Sequence, residues 1–164
     1  MLEFIRVSTF EQIEMAAELA EEIWSEHYTP IIGAEQVRYM LENFQSAKAI
    51  TQQIDSGSWG YFLIYLEATA IGYFAFQIKL EQLFLSKLYL RKSHRGKGYS
   101  RKVMKFLENI AVENCLPKIS LTVNKNNLSA IAVYEKMGFT KICPTVADIG
   151  GGFVMDDFLM EKCL

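Results

Sequence analysis

At 164 residues, with 51% hydrophobic and 22% charged residues, the chain has the length and composition of one globular domain with a sizeable core. Its formal net charge of -2 argues against a general affinity for nucleic acid, and no run approaches the roughly 18 apolar residues of a membrane span. The start, MLEFIRVSTFEQ, lacks the basic and apolar regions of a secretion signal, and Cys115, Cys143 and Cys163 have no metal-ligand spacing. A cytoplasmic, reducing location and a metal-free fold are therefore expected.

LEFIRVS (2–8) alternates as a strand does, and Thr9 is placed to cap the helix that follows, in which Ile13, Ala16, Ala17, Ala20, Ile23 and Trp24 recur at helical spacing. A second helical region runs from Ala34 to about Ile54, with a break near Ser46. SWGYFLIYLE and AIGYFAFQIKL, joined through EATA, read as a hairpin whose aromatics belong to the core, and LFLSKLYL (83–90) as a third strand of that group. A glycine-rich turn then leads into a helix over about 99–114. KISLTVN (118–124) is a strand, LSAIAVYEKMGF (128–139) a helix, and strands near 139–143 and 152–162 complete the chain. This order predicts an α/β fold, with a strand-helix-strand crossover at its centre.

Seven of the seventeen Lys and Arg lie between Arg91 and Lys105, and no Asp or Glu occurs between Glu81 and Glu108. Without those seven, ten basic residues face nineteen acidic ones, so the positive charge is local and suits a small polyanion. The sequence there, YLRKSHRGKGYSRKVM, is strand, glycine turn, helix: the arrangement in which unpaired N–H groups at a helix start surround a phosphate. Gly96 and Gly98 permit left-handed torsions there, whereas Arg101 and Lys102 in the first turn oppose the helix dipole unless an anion is bound. Tyr99-Ser100 after Gly98 excludes a P-loop, and Arg101 occupies the place of the last glycine of a dinucleotide-binding turn.

Arg95-Gly96-Lys97-Gly98-Tyr99-Ser100 resembles the pyrophosphate loop, [Q/R]-x-x-G-x-[G/A], of the GNAT superfamily of N-acetyltransferases, with Ser100 a mild departure. LYLRKSHRGKGYSRKVMKFL, VNKNNLSAIAVYEKMGF and DDFLMEKCL are similar to its strand-loop-helix motif, its next strand and helix, and its final strand. The resemblance covers about residues 2–162 and implies a mixed, mostly antiparallel sheet of six to seven strands, flanked by about four helices, with residues 1–164 as a single domain. It further implies acetyl-CoA as cosubstrate, no metal, and direct acetyl transfer to a primary amine, either a small cation such as a polyamine or a protein amine.

Carried over by position, the resemblance places backbone amides of Gly96, Lys97, Gly98 and Ser100 on the CoA pyrophosphate, with Arg95, Tyr99 and Arg101 beside it. The main chain of Leu88, Tyr89 and Leu90 would pair with the pantetheine arm and supply an oxyanion donor. Asn127 matches a cofactor contact, and Tyr134 the tyrosine that protonates the departing thiolate, for which a phenol is a suitable acid. Where many relatives carry a glutamate on the third strand of the group, this chain has Phe84. The general base therefore remains open among His27, Glu26 and an ordered water.

The first long helix carries six glutamates and no Lys or Arg, with Glu14, Glu18, Glu22 and Glu26 on one stripe. A solvated face accounts for such a stripe; alternatively Glu22 and Glu26, with Tyr28, attract a cationic acceptor. A noncatalytic acyl-CoA-binding regulatory module would need the loop but neither Tyr134 nor a base. RNA on the basic patch is disfavoured by the surrounding acidity, no membrane partner is implied, and a homodimer is compatible with the sequence.

Overall fold

The computed structural model describes residues 1–164, with seven strands, six α-helices and one 3-10 turn. Its elements group into two compact units, Met1–Gln77 with Lys87–Tyr99, and Ile78–Ser86 with Ser100–Leu164.

The first unit holds β1 (Leu2–Arg6), α1 (Phe10–His27), α2 (Thr29–Ile32), α3 (Ala34–Phe44), α4 (Ala47–Asp55), β2 (Trp59–Leu66), β3 (Thr69–Lys79) as far as Gln77, and the end of β4 (Gln82–Leu90). Thr9 starts α1 through a capping box: its hydroxyl accepts from the Gln12 amide at 3.3 Å, and Gln12 Oε1 accepts from the Thr9 amide at 3.0 Å. The face made by Ile13, Ala16, Leu19, Ala20, Ile23 and Trp24 is buried. The strand order is β1-β2-β3-β4, with β1–β2 and β2–β3 antiparallel. Of the hairpin aromatics, Tyr61, Phe62, Tyr73, Phe74 and Phe76 are core, as expected, whereas Trp59 and Tyr65 are only half-buried. Each fully buried apolar side chain stabilises by about 1.5–3 kcal/mol. At Gly72 a Cβ would lie 2.2 Å from the Tyr89 carbonyl oxygen, so only glycine lets β3 approach the end of β4 so closely.

The second unit holds the start of β4, α5 (Tyr99–Glu113) from Ser100 on, β5 (Lys118–Asn124), α6 (Leu128–Lys136), β6 (Thr140–Gly150) and β7 (Phe153–Cys163). Its order is β4-β5-β7-β6. β4 and β5 are parallel, so the chain needs a crossover between them, and α5 is that crossover. β5–β7 and β7–β6 are antiparallel.

The fold is the expected mixed α/β class with a seven-strand sheet, but with six helices. The region from Ala34 divides at Ser46, whose hydroxyl caps α4 by accepting from the Ala49 amide at 3.2 Å. Pro30, at the start of α2, adds a one-turn helix that periodicity over so few residues does not show. β6 reaches Gly150, well past the expected end near 143, because its hairpin with β7 closes on three glycines of positive φ, Gly150, Gly151 and Gly152. Almost every residue of β6 is exposed, so no apolar alternation marks it.

Candidate active site

The glycine turn has the backbone that the sequence requires. β4 ends at Leu90, a 3-10 turn spans Lys92–His94, and Gly96 and Gly98 have φ of 74° and 80° before α5 begins at Tyr99. A Cβ at either glycine would meet nothing within 4 Å, so the demand is torsional rather than steric. The first turn of α5 contains no acidic residue.

The basic patch divides by what its members hold. Arg91 pairs with Glu22, Nη2 at 3.0 Å and Nε at 3.1 Å, and donates Nη1 to the Ala70 carbonyl at 2.9 Å. Arg95 donates Nε to the Leu90 carbonyl at 2.9 Å, and Lys105 lies 3.7 Å from Glu108. Lys92, Lys97, Arg101 and Lys102 are exposed and stand outside the ion pairs of the chain. Four cations at a helix start thus remain available to an anion.

His27 and Glu26 end α1. Glu26 is exposed, while His27 is half-buried with its Nδ1 3.5 Å from Arg95 Nη1 and its ring edge-on to Tyr28 at 4.8 Å. A guanidinium only donates, so in that contact Nδ1 is on the accepting side. Trp24, Tyr28, Tyr73 and Tyr89 pack ring against ring alongside, with Trp24 stacked on Tyr28 at 4.3 Å. Leu88 and Tyr89 are half-buried and Leu90 is buried.

A cavity of about 670 Å³ lies between α1 and α3 in the same unit. Glu14, Glu18, Glu21 and Glu42 line it, against the single cation Arg38. Ser25 and Thr29, which flank His27 and Tyr28 in the chain, line it as well. Within the glutamate stripe, Glu22 is held by Arg91, and it is Glu21 that faces this space.

Ser100, Arg101, Asn127 and Tyr134 belong to the second unit. Tyr134 is half-buried on α6, edge-on to Phe139 at 5.6 Å. Asn127 is buried at the start of α6; its main-chain carbonyl accepts from the Ile131 amide at 3.1 Å, and its Oδ1 accepts from Ser129 Oγ at 3.3 Å.

Two buried ionisable groups are missed by the sequence reasoning. Lys87, on β4, donates to the Phe44 carbonyl at 2.8 Å, to Gln53 Oε1 at 3.0 Å and to the Tyr61 hydroxyl, and burial lowers its pKa to about 7. Asp157, on β7, has its pKa raised to about 6 by burial and by Asp156, against the charge of Lys125. Alternation could have found both. Lys87 shares the inward parity of Leu83 and Leu85, and of two adjacent acids in a strand one must face inward.

The elements and the glycine turn are those of an acyl-CoA-dependent α/β transferase. The profile of the acetyltransferase (GNAT) family matches residues 16–139, and the chain belongs to that family. It is 25% identical over 162 residues, covering 96% of this chain and 95% of the relative, to a spermidine N(1)-acetyltransferase of Thermoplasma acidophilum. The PaiA N-acetyltransferase of the same organism, solved in complex with coenzyme A, superposes with a TM-score of 0.83 at 24% identity, over 100% of this chain and 99% of that one. An acetyltransferase from Thermus thermophilus superposes with a TM-score of 0.75 at 21% identity, over 100% and 97%. The protein is an acetyl-CoA-dependent transferase. No helix is long and apolar enough to cross a membrane.

Proposed function

We propose that this chain transfers acetyl from acetyl-CoA directly to a primary amine on a small cation of the polyamine class. The observation that carries the acceptor is the α1–α3 cavity, where four glutamates face one arginine. Such a concentration of negative charge raises the local concentration of a polycation. The relation to a spermidine acetyltransferase over nearly the whole chain supports the same class.

On the cofactor side, the amides from Gly96 to Ser100 and the side chains of Lys97 and Arg101 receive the pyrophosphate, and the main chain of Leu88–Leu90 receives the pantetheine arm. Arg95 acts mainly by tying the loop to Leu90. Tyr134 supplies the proton to the departing sulfur. The cysteines are exposed and lie outside the matched catalytic motifs, so acetyl passes without an acyl-cysteine.

The test is a panel of amines with thiol release followed from acetyl-CoA. Spermidine and related polycations should turn over with higher kcat/KM than neutral or anionic amines of similar size, and the preference should weaken as salt rises. Equal turnover of cationic and anionic amines would overturn the acceptor class.

A further inference from the structure

One wall of the acidic cavity is α3, and it ends at the corner where the chain turns into α4: Gln45, Ser46 and Ala47 line the cavity there, with Glu42 just before them. A helix leaves its last carbonyls without intrahelical partners, and α3 has no basic residue in its last turn to meet them. Lys87 supplies that cation from β4, donating Nζ to the carbonyl of Phe44, the last residue of α3, at 2.8 Å. It also donates to Gln53 of α4 at 3.0 Å, so one side chain joins both helices of the corner. Tyr73 of β3 holds the next residue, its hydroxyl donating to Gln45 Oε1 at 3.0 Å. Ser46 in turn donates Oγ to the Glu42 carbonyl at 2.9 Å, which ties the corner back to the cavity glutamate. Lys87 and Gln45 are both buried, and every residue of this chain of contacts lies within the first unit.

We propose that Lys87, together with Tyr73, is a positioning residue for the acceptor: the two donors set the α3–α4 corner and, through it, the place of Glu42 against the glutamates of α1. The inference rests on the reading of this cavity as the acceptor site. Neither side chain lines the cavity, so the effect is on how firmly the polycation is held and not on the chemical step. Attraction between charges falls with distance, and a corner that relaxes weakens the hold on an ammonium. The loss is equal in ground state and transition state, which raises KM and leaves kcat alone. Lys87 also precedes Leu88, where the pantetheine arm is received, and this separates two routes. A disturbance passed along β4 would weaken acetyl-CoA binding, whereas one passed through the corner would not.

Lys87→Met and Tyr73→Phe each remove one of the two donors, and Glu18→Gln removes a cavity carboxylate on α1 that takes no part in the corner. With spermidine and acetyl-CoA, both corner variants should raise the spermidine KM about tenfold, keep kcat within about threefold and leave acetyl-CoA affinity by calorimetry unchanged. Glu18→Gln should raise the spermidine KM as well. Ile119→Val, a core truncation in the second unit, should lower stability without moving that KM, which separates positioning from stability alone. A wild-type spermidine KM in folded Lys87→Met, with Glu18→Gln impaired, overturns the positioning role alone. Should Lys87→Met fail to fold, the same result in Tyr73→Phe overturns it. A fall in acetyl-CoA affinity in Lys87→Met overturns it too, because the effect would then run along β4. An unchanged spermidine KM in Glu18→Gln shows that the cavity is not the acceptor site, and the acceptor reading and this one then fall together.

Discussion

Lys87 in the first unit and Asp157 in the second are equally hidden, each 4% exposed, yet their surroundings are opposite. Lys87 directs three N–H donors to three neutral oxygens, on Phe44, Gln53 and Tyr61, and takes part in no ion pair. The network closes on itself: Tyr61 donates to Gln53 Oε1, and Gln53 Nε2 donates to the Phe44 carbonyl at 3.3 Å. Next in the chain, Gln45 accepts the Tyr73 hydroxyl at 3.0 Å, so two buried donors fix the corner between α3 and α4. Asp157 has no donor of its own. A buried charge whose hydrogen bonds are all supplied by its own fold reads as a structural pin, whereas a buried acid among uncharged neighbours is held above its ordinary pKa by desolvation.

The largest effect expected from this contrast is on turnover. Tyr134→Phe keeps the ring against Phe139 and removes only the hydroxyl. It should lower kcat by about 10²-fold, with little change in KM, because the proton is needed in the transition state alone. Lys87→Met, in a group assigned to structure, should leave kcat within about threefold while the protein is folded. Steady-state kinetics of both variants with spermidine decide the matter: a Lys87→Met protein as slow as Tyr134→Phe would break the contrast.

The second effect is on stability against pH. Lys87 has a folded pKa of about 7, below the unfolded value of 10.5, so between those values the unfolded chain holds a proton that the folded chain does not. Stability from this group therefore rises with pH across that window and is lost as pH falls through 7. Between pH 7 and pH 9 the gain should be about 2 kcal/mol. Urea unfolding at the two pH values should show it in wild type and not in Lys87→Met. An identical slope in the variant would mean that Lys87 is not the group responsible.

Much of this molecule is legible in its sequence. The order of strands and helices follows from periodicity, the capping of α1 from Thr9, and the left-handed turn before α5 from two glycines at the start of a basic helix. The roles of the cations are less legible, because Arg91 and Arg95 are held by Glu22 and by the Leu90 carbonyl, 69 residues back and five residues back in the chain. Such pairings arise from tertiary approach, which composition does not encode. Asp157 is hidden for a related reason: within DDFLMEKCL a strand is evident, but which acid turns inward depends on its register with Asn124.

The smallest effect expected, and the one that tests the meaning of the contrast most directly, is the stability of Asp157→Asn. The folded pKa of Asp157, about 6, lies above its unfolded value of 3.8, so the folded chain holds the proton more tightly than the unfolded one. The stability this contributes is complete below pH 3.8 and is lost as pH rises through 6. At pH 7 the ionised side chain is therefore a burden on the fold, and replacing it by the neutral amide should stabilise the protein by about 1 kcal/mol after allowing for the amide's own burial. At pH 4 the acid is largely protonated, and the difference between the two proteins should close. A variant that is more stable at pH 7 would show that the ionised side chain costs the fold stability there. Chemical denaturation at pH 4 and pH 7 measures it, and a loss of stability at pH 7 would place Asp157 with Lys87 among the residues that hold the structure together.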